Sequence, residues 1–289
     1  MTTHHDTTKP AVAVTGTRGF LGSVLADVLS REGYRVVRLS RGEPEPASRF
    51  TLGDDVPPSI FQGAEVLIHA AYDFSLTRRH DIRRVNVEGT RRLFNTAIAA
   101  GVKKIVFISS ASAFAESRQL YGQAKYAAER MARGIGAYVV RPGIIYDETD
   151  RGLLPKLALF ARLPLVPLFD GGRQPFVLTH ARDLATLMLA LIRSEERAPR
   201  TPITAGHPKT LTFRALLAEL ASRQGKTPRF VRMPSLPLLL LLRGMEMAGL
   251  RPPFRSDSLI GLLSPNPALD FTLTEAYGVP WRPFGTDRS

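Results

Sequence analysis

Residues 11–31 read AVAVTGTRGFLGSVLADVLSR, and no other stretch constrains the fold as tightly. A short apolar run, Ala11–Thr15, passes directly into glycines 16, 19 and 22, and the chain continues as an amphipathic helix over Phe20–Arg31. A strand that turns on glycine into a helix returns to lie parallel beside the first strand, because a helical crossover cannot close an antiparallel hairpin. The opening residues therefore call for a parallel sheet wrapped by helices.

The same alternation continues downstream. Arg35–Leu39, Glu65–Ala70, Lys103–Ser109 and Ala137–Arg141 read as strands, and the near-continuous apolar run of the third of these suits a strand covered on both faces. Helices are expected from about Arg78 to Ala100 and over Tyr121–Arg133. The fold class is α/β, a doubly wound parallel sheet with a smaller, mostly C-terminal substrate region. Residues 11–142 form the core, with a return segment over about 174–205. Residues 143–173 and 206–289 form the substrate-binding region, and residues 1–10 a flexible start. Beyond Pro142 prolines and leucines thicken, giving Leu163–Leu168, a strand-like Phe176–Leu178, helices over Ala181–Arg193 and Thr212–Gln224, and the segment Leu236–Gly249. The run Leu238–Leu242 fits either a membrane-surface contact or a core or lid helix, and the second reading is preferred.

Composition removes several chemistries. With no cysteine among 289 residues there is no disulfide, thiolate nucleophile or Cys-ligated zinc. His4, His5 and the other histidines show no ligand spacing, so no metal is expected. The longest unbroken apolar stretch, Leu187–Ile192, is six residues, against the roughly 20 of a membrane span. A soluble, cytoplasmic protein is expected, with no membrane span. The net charge of +13 attracts anions without choosing among them. The arginines of residues 78–92 scatter around their helix without interleaved aromatics, so no nucleic acid is expected as a partner.

The glycine loop has a specific use. Gly16 permits the tight turn, Gly19 lets the backbone approach a pyrophosphate at the helix N-terminus, and Gly22 lets the helix pack on the sheet, with Phe20 and Leu21 completing the loop. The second strand ends Leu39-Ser40-Arg41, with Ser40 where an acid normally holds the adenosine ribose. Arg41 and Arg18 are positioned by sequence to grip a 2′-phosphate, so NADP(H) is expected over NAD(H). Gly53-Asp54, taken as following a third strand, offers either a carboxylate to the adenine amino group or simple turn chemistry. Ala70 and Ala71 end a central strand in small side chains that admit the dinucleotide, and His69 reads as packed or hydrogen-bonded rather than catalytic.

Tyr121 and Lys125, four apart on one helix, share a face. A phenol titrates near pH 10, and a neighbouring ammonium is expected to draw it toward neutrality so that it can exchange a proton with a substrate oxygen. Ser110, at the end of the strand Lys103–Ser109, is placed to polarise the same oxygen.

These motifs together resemble the short-chain dehydrogenase/reductase superfamily, in its extended branch of NAD-dependent epimerases, dehydratases and ketone reductases. TGTRGFLG (15–22) is similar to the cofactor loop, VLIHAA (66–71) to the fourth-strand motif, and NVEGTRRLFNTAIAAGVKKIVFISS (86–110) to the central helix and strand. YGQAK (121–125) resembles the catalytic motif, RPGIIY (141–146) the nicotinamide-lining stretch, and QPFVLTHARDLA (174–185) the return into the sheet. The resemblance implies a Rossmann-type fold and hydride transfer at the nicotinamide. It implies Tyr121 as acid and base, Lys125 tuning it and holding the nicotinamide ribose, Ser110 orienting substrate, and Pro142, Gly143 and Ile144 lining the cofactor. Asn86 matches the central-helix asparagine, read here as structural. A homodimer through residues 78–100 and 121–133 is a further implication.

Departures narrow the reading. Only ten residues separate Ser110 from Tyr121, short for a sugar-nucleotide enzyme of this kind. The segment GGRQPF (171–176) lacks a regular diphosphate grip, although Arg173 stands there. Ala111 and Ser112 follow Ser110 where a dehydratase carries acids, which leaves Ser112 and Arg173 as candidate substrate contacts. The reading preferred is an NADP(H)-dependent oxidoreductase acting on a carbonyl or alcohol of a small or sugar-like substrate. Residues 236–249 and Trp281 are then expected to cover that substrate. The alternatives are a sugar-nucleotide epimerase with retained cofactor and a non-catalytic NADP(H)-binding regulatory or assembly protein.

Overall fold

The computed structural model describes residues 9–43, 48–149, 151–250, 252 and 254–285. Up to residue 8, the flexible start expected over residues 1–10 lies outside the described residues. The chain begins β1 (Ala11–Thr15), α1 (Phe20–Arg31), β2 (Val36–Leu39), β3 (Ala64–His69), α2 (Arg79–Ile82), a π-helical turn (Arg83–Glu88) and α3 (Gly89–Ala99). It continues β4 (Lys104–Ile108), α4 (Leu120–Gly134), β5 (Tyr138–Pro142), β6 (Ile144–Tyr146), α5 (Leu154–Phe160), β7 (Val166–Leu168), β8 (Pro175–Phe176), β9 (Leu178–His180) and α6 (Ala181–Arg193). The last part holds β10 (Ile203–Ala205), β11 (Leu211–Thr212), α7 (Phe213–Ser222), β12 (Phe230–Arg232), α8 (Ser235–Met247), α9 (Ser256–Leu263) and α10 (Thr272–Ala276).

The main sheet has six parallel strands in the order β10-β5-β4-β3-β1-β2. All five residues of β1 are buried, as expected for a strand flanked on both edges: Val14 is in register with Arg38 of β2 and Ile68 of β3. Helix α1 stops where the sequence stops it. Gly33 takes φ +80, its N–H donates to the Ser30 carbonyl and that of Tyr34 to the Leu29 carbonyl, which satisfies carbonyls otherwise orphaned at the helix end. From β1 the chain moves outward to β2 and then crosses to β3 on the other side of β1. That reversal leaves a crevice at the carboxyl ends of β1 and β3, where a doubly wound sheet takes its ligand.

The chain divides into two compact units: residues 1–108, 128–139 and 185–202, and residues 109–127, 140–184 and 203–289. The first is built around Phe61, Leu67, Leu93, Phe94 and Phe107. The second packs α5, α7, α8 and α9 around Val166, Leu168, Leu216, Leu217 and Leu259, and carries three two-stranded pairings, β6 with β9, β7 with β12 and β8 with β11.

Three expectations change in detail. The single helix over residues 78–100 is broken by the π-helical turn. Thr90 Oγ1 donates to the Asn86 carbonyl at 2.7 Å, and Gly89 packs so close to Gly53 that a Cβ there would stand 2.7 Å from the Gly53 nitrogen. The strand expected before Gly53 is reduced to one bridge, Ser40 with Arg49. Helix α8 gives only one face to the core of the second unit: Leu242 is buried, with Leu238 and Leu239 packed beside it, while Leu236, Leu240 and Leu241 are exposed. Among the described residues no helix is long and apolar enough to cross a membrane.

Candidate active site

The glycine loop is built as a cradle. Gly16 takes φ +77, its N–H donates to the Leu39 carbonyl at 2.7 Å, and its own carbonyl accepts from the Gly19 N–H at 2.8 Å. A Cβ on Gly22 would stand 2.1 Å from the Gly16 oxygen, and one on Gly16 3.1 Å from the Ala71 Cα. Side chains are excluded on both sides of the loop. Helix α1 begins at Gly19 with no side-chain cap, so its first turn, Phe20, Leu21 and Gly22, presents a positive dipole end to an anion.

The turn after β2 contains the acid that the strand end lacks. Glu43 Oε1 accepts from Thr17 Oγ1 at 2.7 Å and from Ser40 Oγ at 2.9 Å, so two hydroxyls fix its carboxylate beside the loop. The two arginines expected to converge on a phosphate are engaged elsewhere. Arg18 donates to the Gly42 carbonyl, and Arg41 pairs with Asp73 at 3.7 Å. Sequence reading missed Glu43 because it looked for the acid at the last strand position. The signal was a carboxylate three residues on, in a tight turn with Ser40.

At the end of β3, Thr15 Oγ1 accepts from the N–H groups of both Ala70 and Ala71 at 3.1 Å. Its own proton then points to His69 Nδ1 at 2.8 Å, which places the ring proton on Nε2, donating to Thr90 Oγ1 at 2.9 Å. Thr90 passes the chain on to the Asn86 carbonyl. His69 is fully buried, with Phe94 edge-on and Phe107 stacked. It is packed and hydrogen-bonded on both ring nitrogens, as its setting in the sequence suggested. Asn86 also pins the loop after β3: its Oδ1 accepts from the Asp73 N–H at 2.7 Å and its Nδ2 donates to the Asp73 carbonyl at 3.3 Å.

The second unit brings Ser110, Tyr121 and Lys125 together. Beyond β4, the Ala111 N–H donates to the Pro142 carbonyl at 2.8 Å, and Ser110 Oγ accepts from the Ser112 N–H at 3.1 Å. Asp257 Oδ1 caps the start of α4 by accepting from the Leu120 N–H at 2.7 Å. Gly122 packs under the intervening loop, since a Cβ there would lie 2.3 Å from the Ser112 carbonyl oxygen. Tyr121 is thereby presented beside Ser110, and the two side chains are hydrogen-bonded. Lys125, one turn on along the same face, is only 4% exposed.

The acidity of Tyr121 differs from expectation. Its ring keeps an opening to solvent yet sits deep in the protein, and burial pushes the phenol up to about 12, with the hydrogen bond to Ser110 working the other way. Phenolate is disfavoured because it loses more hydration than its neighbours return. Farther along, the Gly143 N–H donates to Thr179 Oγ1 at 2.9 Å and that of Ile144 to the Val177 carbonyl at 2.8 Å. A Cβ on Gly143 would meet the Val177 oxygen at 2.0 Å, so the Pro142–Ile144 corner admits no side chain at its centre.

The remaining candidates are less involved. Asp54 is exposed in a turn. Ser112 is half-buried beside Ser110, and Arg173, 79% exposed in its side chain, pairs with Asp170 at 2.9 Å. Among the described residues no group of His, Asp or Glu could hold a metal ion.

Comparison with known proteins places this arrangement. Residues 12–205 match the model of the NAD dependent epimerase/dehydratase family. A ceramide reductase of Caulobacter vibrioides is 30% identical over 235 residues, covering 77% of this chain and 73% of that protein. A 4-hydroxy-2-methyl-3-oxo-4-farnesyl-3,4-dihydroquinoline-1-oxide ketoreductase of Stigmatella aurantiaca is 28% identical, covering 73% of this chain and 72% of the other. Among solved structures, MoeE5 in complex with UDP-glucuronic acid and NAD shares the fold at a TM-score of 0.64 and 23% identity, covering 78% of this chain and 85% of that one. Five solved structures of this fold are described as NAD complexes or NAD-dependent enzymes. The expectation of NADP(H), read from Arg18 and Arg41, is overturned by that finding, and the positions of Glu43 and the two guanidinium groups give the physical reason. By its match to the family model over residues 12–205 and its 30% identity to the ceramide reductase, the chain belongs to the NAD dependent epimerase/dehydratase family and is an NAD(P)-dependent enzyme of the extended short-chain dehydrogenase/reductase type.

Proposed function

We propose that the protein uses NAD(H) to move hydride between the nicotinamide and a carbinol carbon of a small molecule, with Tyr121 moving the accompanying proton. The observation that carries this reading is the hydrogen-bonded Ser110–Tyr121 pair with a buried Lys125 one helical turn away. The fit to a dinucleotide rests on the Gly16–Gly22 cradle, which a Cβ would fill, and on the uncapped start of α1. Bound NAD(H) supplies or accepts hydride. The residues of the chain do the rest: the first turn of α1 faces the pyrophosphate, and Glu43 accepts a ribose hydroxyl through its second carboxylate oxygen. A carboxylate there repels the dianion of a 2′-phosphate.

At the reacting end, Ser110 Oγ and Tyr121 Oη both donate to the substrate oxygen, which polarises a carbonyl before hydride arrives. With its pKa raised to about 12, Tyr121 keeps its proton at neutral pH and is poised as the acid. In the reverse direction Lys125 offsets the charge that develops on the phenol oxygen.

The two outcomes of this chemistry differ only in whether the same substrate takes the hydride back. The family match and the NAD-bound relatives of known structure favour the closed, epimerase-type cycle over the NADP(H)-dependent reductase first expected. Net reduction with NADH is the second reading, favoured by the ceramide reductase and the quinoline-oxide ketoreductase among the relatives. A panel of sugar nucleotides and lipid-like ketones and alcohols, followed by absorbance at the nicotinamide band and by chromatography of products, separates them. A new stereoisomer without net absorbance change supports the closed cycle, and product formed one-for-one with NADH consumed supports net reduction. Undiminished turnover by Tyr121→Phe would sink both.

A further inference from the structure

The second unit carries a face that its own core does not explain. Of the fourteen exposed large apolar side chains among the described residues, eleven fall within residues 153–165 and 233–254. The face is most regular on α8. Leu238, Leu239 and Leu242 turn inward onto the core of the unit, while Leu236, Leu240, Leu241 and Met247 are 59 to 89% exposed. Leu236, Leu240 and Met247 share one side of the helix, three turns long, interrupted only by Arg243 and Gly244. A helix that is apolar all round is ordinarily buried on all sides, and a soluble surface rarely leaves such a stripe uncovered.

The charge around the stripe says what covers it. Residues 226–255 contain six lysines and arginines against one acid, Glu246. That acid is taken up inside the unit, accepting from the Ser256 N–H at 2.9 Å and from Ser256 Oγ at 2.6 Å. Lys226, Arg229, Arg232 and Arg243 are exposed, and none of them forms an ion pair within the described structure. Lys226 and Arg229 also line a surface cavity of about 440 Å³ with Arg162 and Leu163. An aliphatic stripe bordered by unpaired cations matches an interfacial helix, whose leucines enter the acyl boundary while lysine and arginine stay at the headgroups. At 13 residues α8 is about 20 Å long, enough to lie in a bilayer surface and too short to cross it.

We propose that α8 and its basic flanks dock the protein on an anionic phospholipid bilayer. The proposal does not depend on which reaction the enzyme performs. It is tested on the full chain by co-sedimentation with phosphatidylcholine vesicles, with and without about 30% phosphatidylglycerol. Binding to the anionic vesicles is expected, weakened by about tenfold or more on pure phosphatidylcholine or at high salt. The double variant Leu236→Glu, Leu240→Glu is expected to lose about tenfold or more in vesicle binding with unchanged NADH affinity. Leu240→Trp serves as an independent probe, with a blue-shifted emission expected on anionic vesicles and none on neutral ones. Failure of the wild-type chain to bind anionic vesicles overturns the proposal. So does equal binding by the double variant, which would make the attraction one of charge alone. A concentration-dependent dimer that the double variant converts to monomer, with no vesicle binding, assigns the stripe to a second copy of the chain and overturns it as well.

Discussion

In the NAD(H) reading proposed above, Glu43 selects the cofactor through one carboxylate. Held by Thr17 and Ser40, it needs no rearrangement to accept a ribose hydroxyl. Glu43→Gln keeps the shape and removes the charge, so NADH affinity is expected to fall by about tenfold while NADPH affinity holds or rises, as read by fluorescence titration. Tyr121 carries a second signature. Its pKa is raised from 10.0 to about 12, so the folded state keeps a proton that the unfolded chain gives up. Stability from this group is therefore complete below pH 10 and is lost as pH rises toward the folded value. At about pH 11 the wild type is expected to have lost about 1 kcal/mol relative to Tyr121→Phe, measured by urea unfolding of both proteins at neutral and alkaline pH. Turnover by the same variant is expected to drop about a hundredfold or more with NADH binding intact. The grouping of Ser110, Tyr121 and Lys125 was legible in the sequence because Tyr121 and Lys125 are four apart on a helix and Ser110 follows a strand. The acidity of Tyr121 was not, because helical spacing locates the ammonium but burial is set by residues distant in the chain.

At the scale of elements, the β1–α1 turn and the end of β3 form one construction. A Gly22→Ala variant places a methyl where 2.1 Å separates it from the Gly16 oxygen, so α1 must move away from the loop. NADH affinity is expected to fall about tenfold or more, with a smaller effect on thermal stability. Thr15→Val removes an acceptor used by two backbone N–H groups and the partner of a buried histidine. It is expected to cost about 2 to 4 kcal/mol in denaturant unfolding. Helix α1 could be read to its end from Gly33, and β1 from its apolar run, because both signals are local. The π-helical turn over Arg83–Glu88 could not, since the contacts that accompany it, Gly89 against Gly53 and Asn86 with Asp73, join residues distant in the chain. The short strands β7, β8, β11 and β12 were equally hidden: two or three residues each, they exist only because distant partners pair with them.

For the whole molecule, the parallel sheet and the crevice beside β1 and β3 follow from strand order, and strand order follows from the alternation of apolar runs and amphipathic helices. Leucine content in residues 236–242 reads as core by composition, yet only Leu242 is buried there. Composition does not tell an inward leucine from an outward one, and the docking face of α8 becomes visible only once the second unit is packed. The NAD(H) reading of the whole enzyme is tested most directly on the purified protein. It is denatured, any released dinucleotide is identified by mass spectrometry, and stripped protein is titrated with NADH and NADPH. Released NAD(H), or NADH bound about tenfold or more tighter than NADPH, is the expected result. Released NADP(H), tighter binding of NADPH, or binding of neither would contradict it.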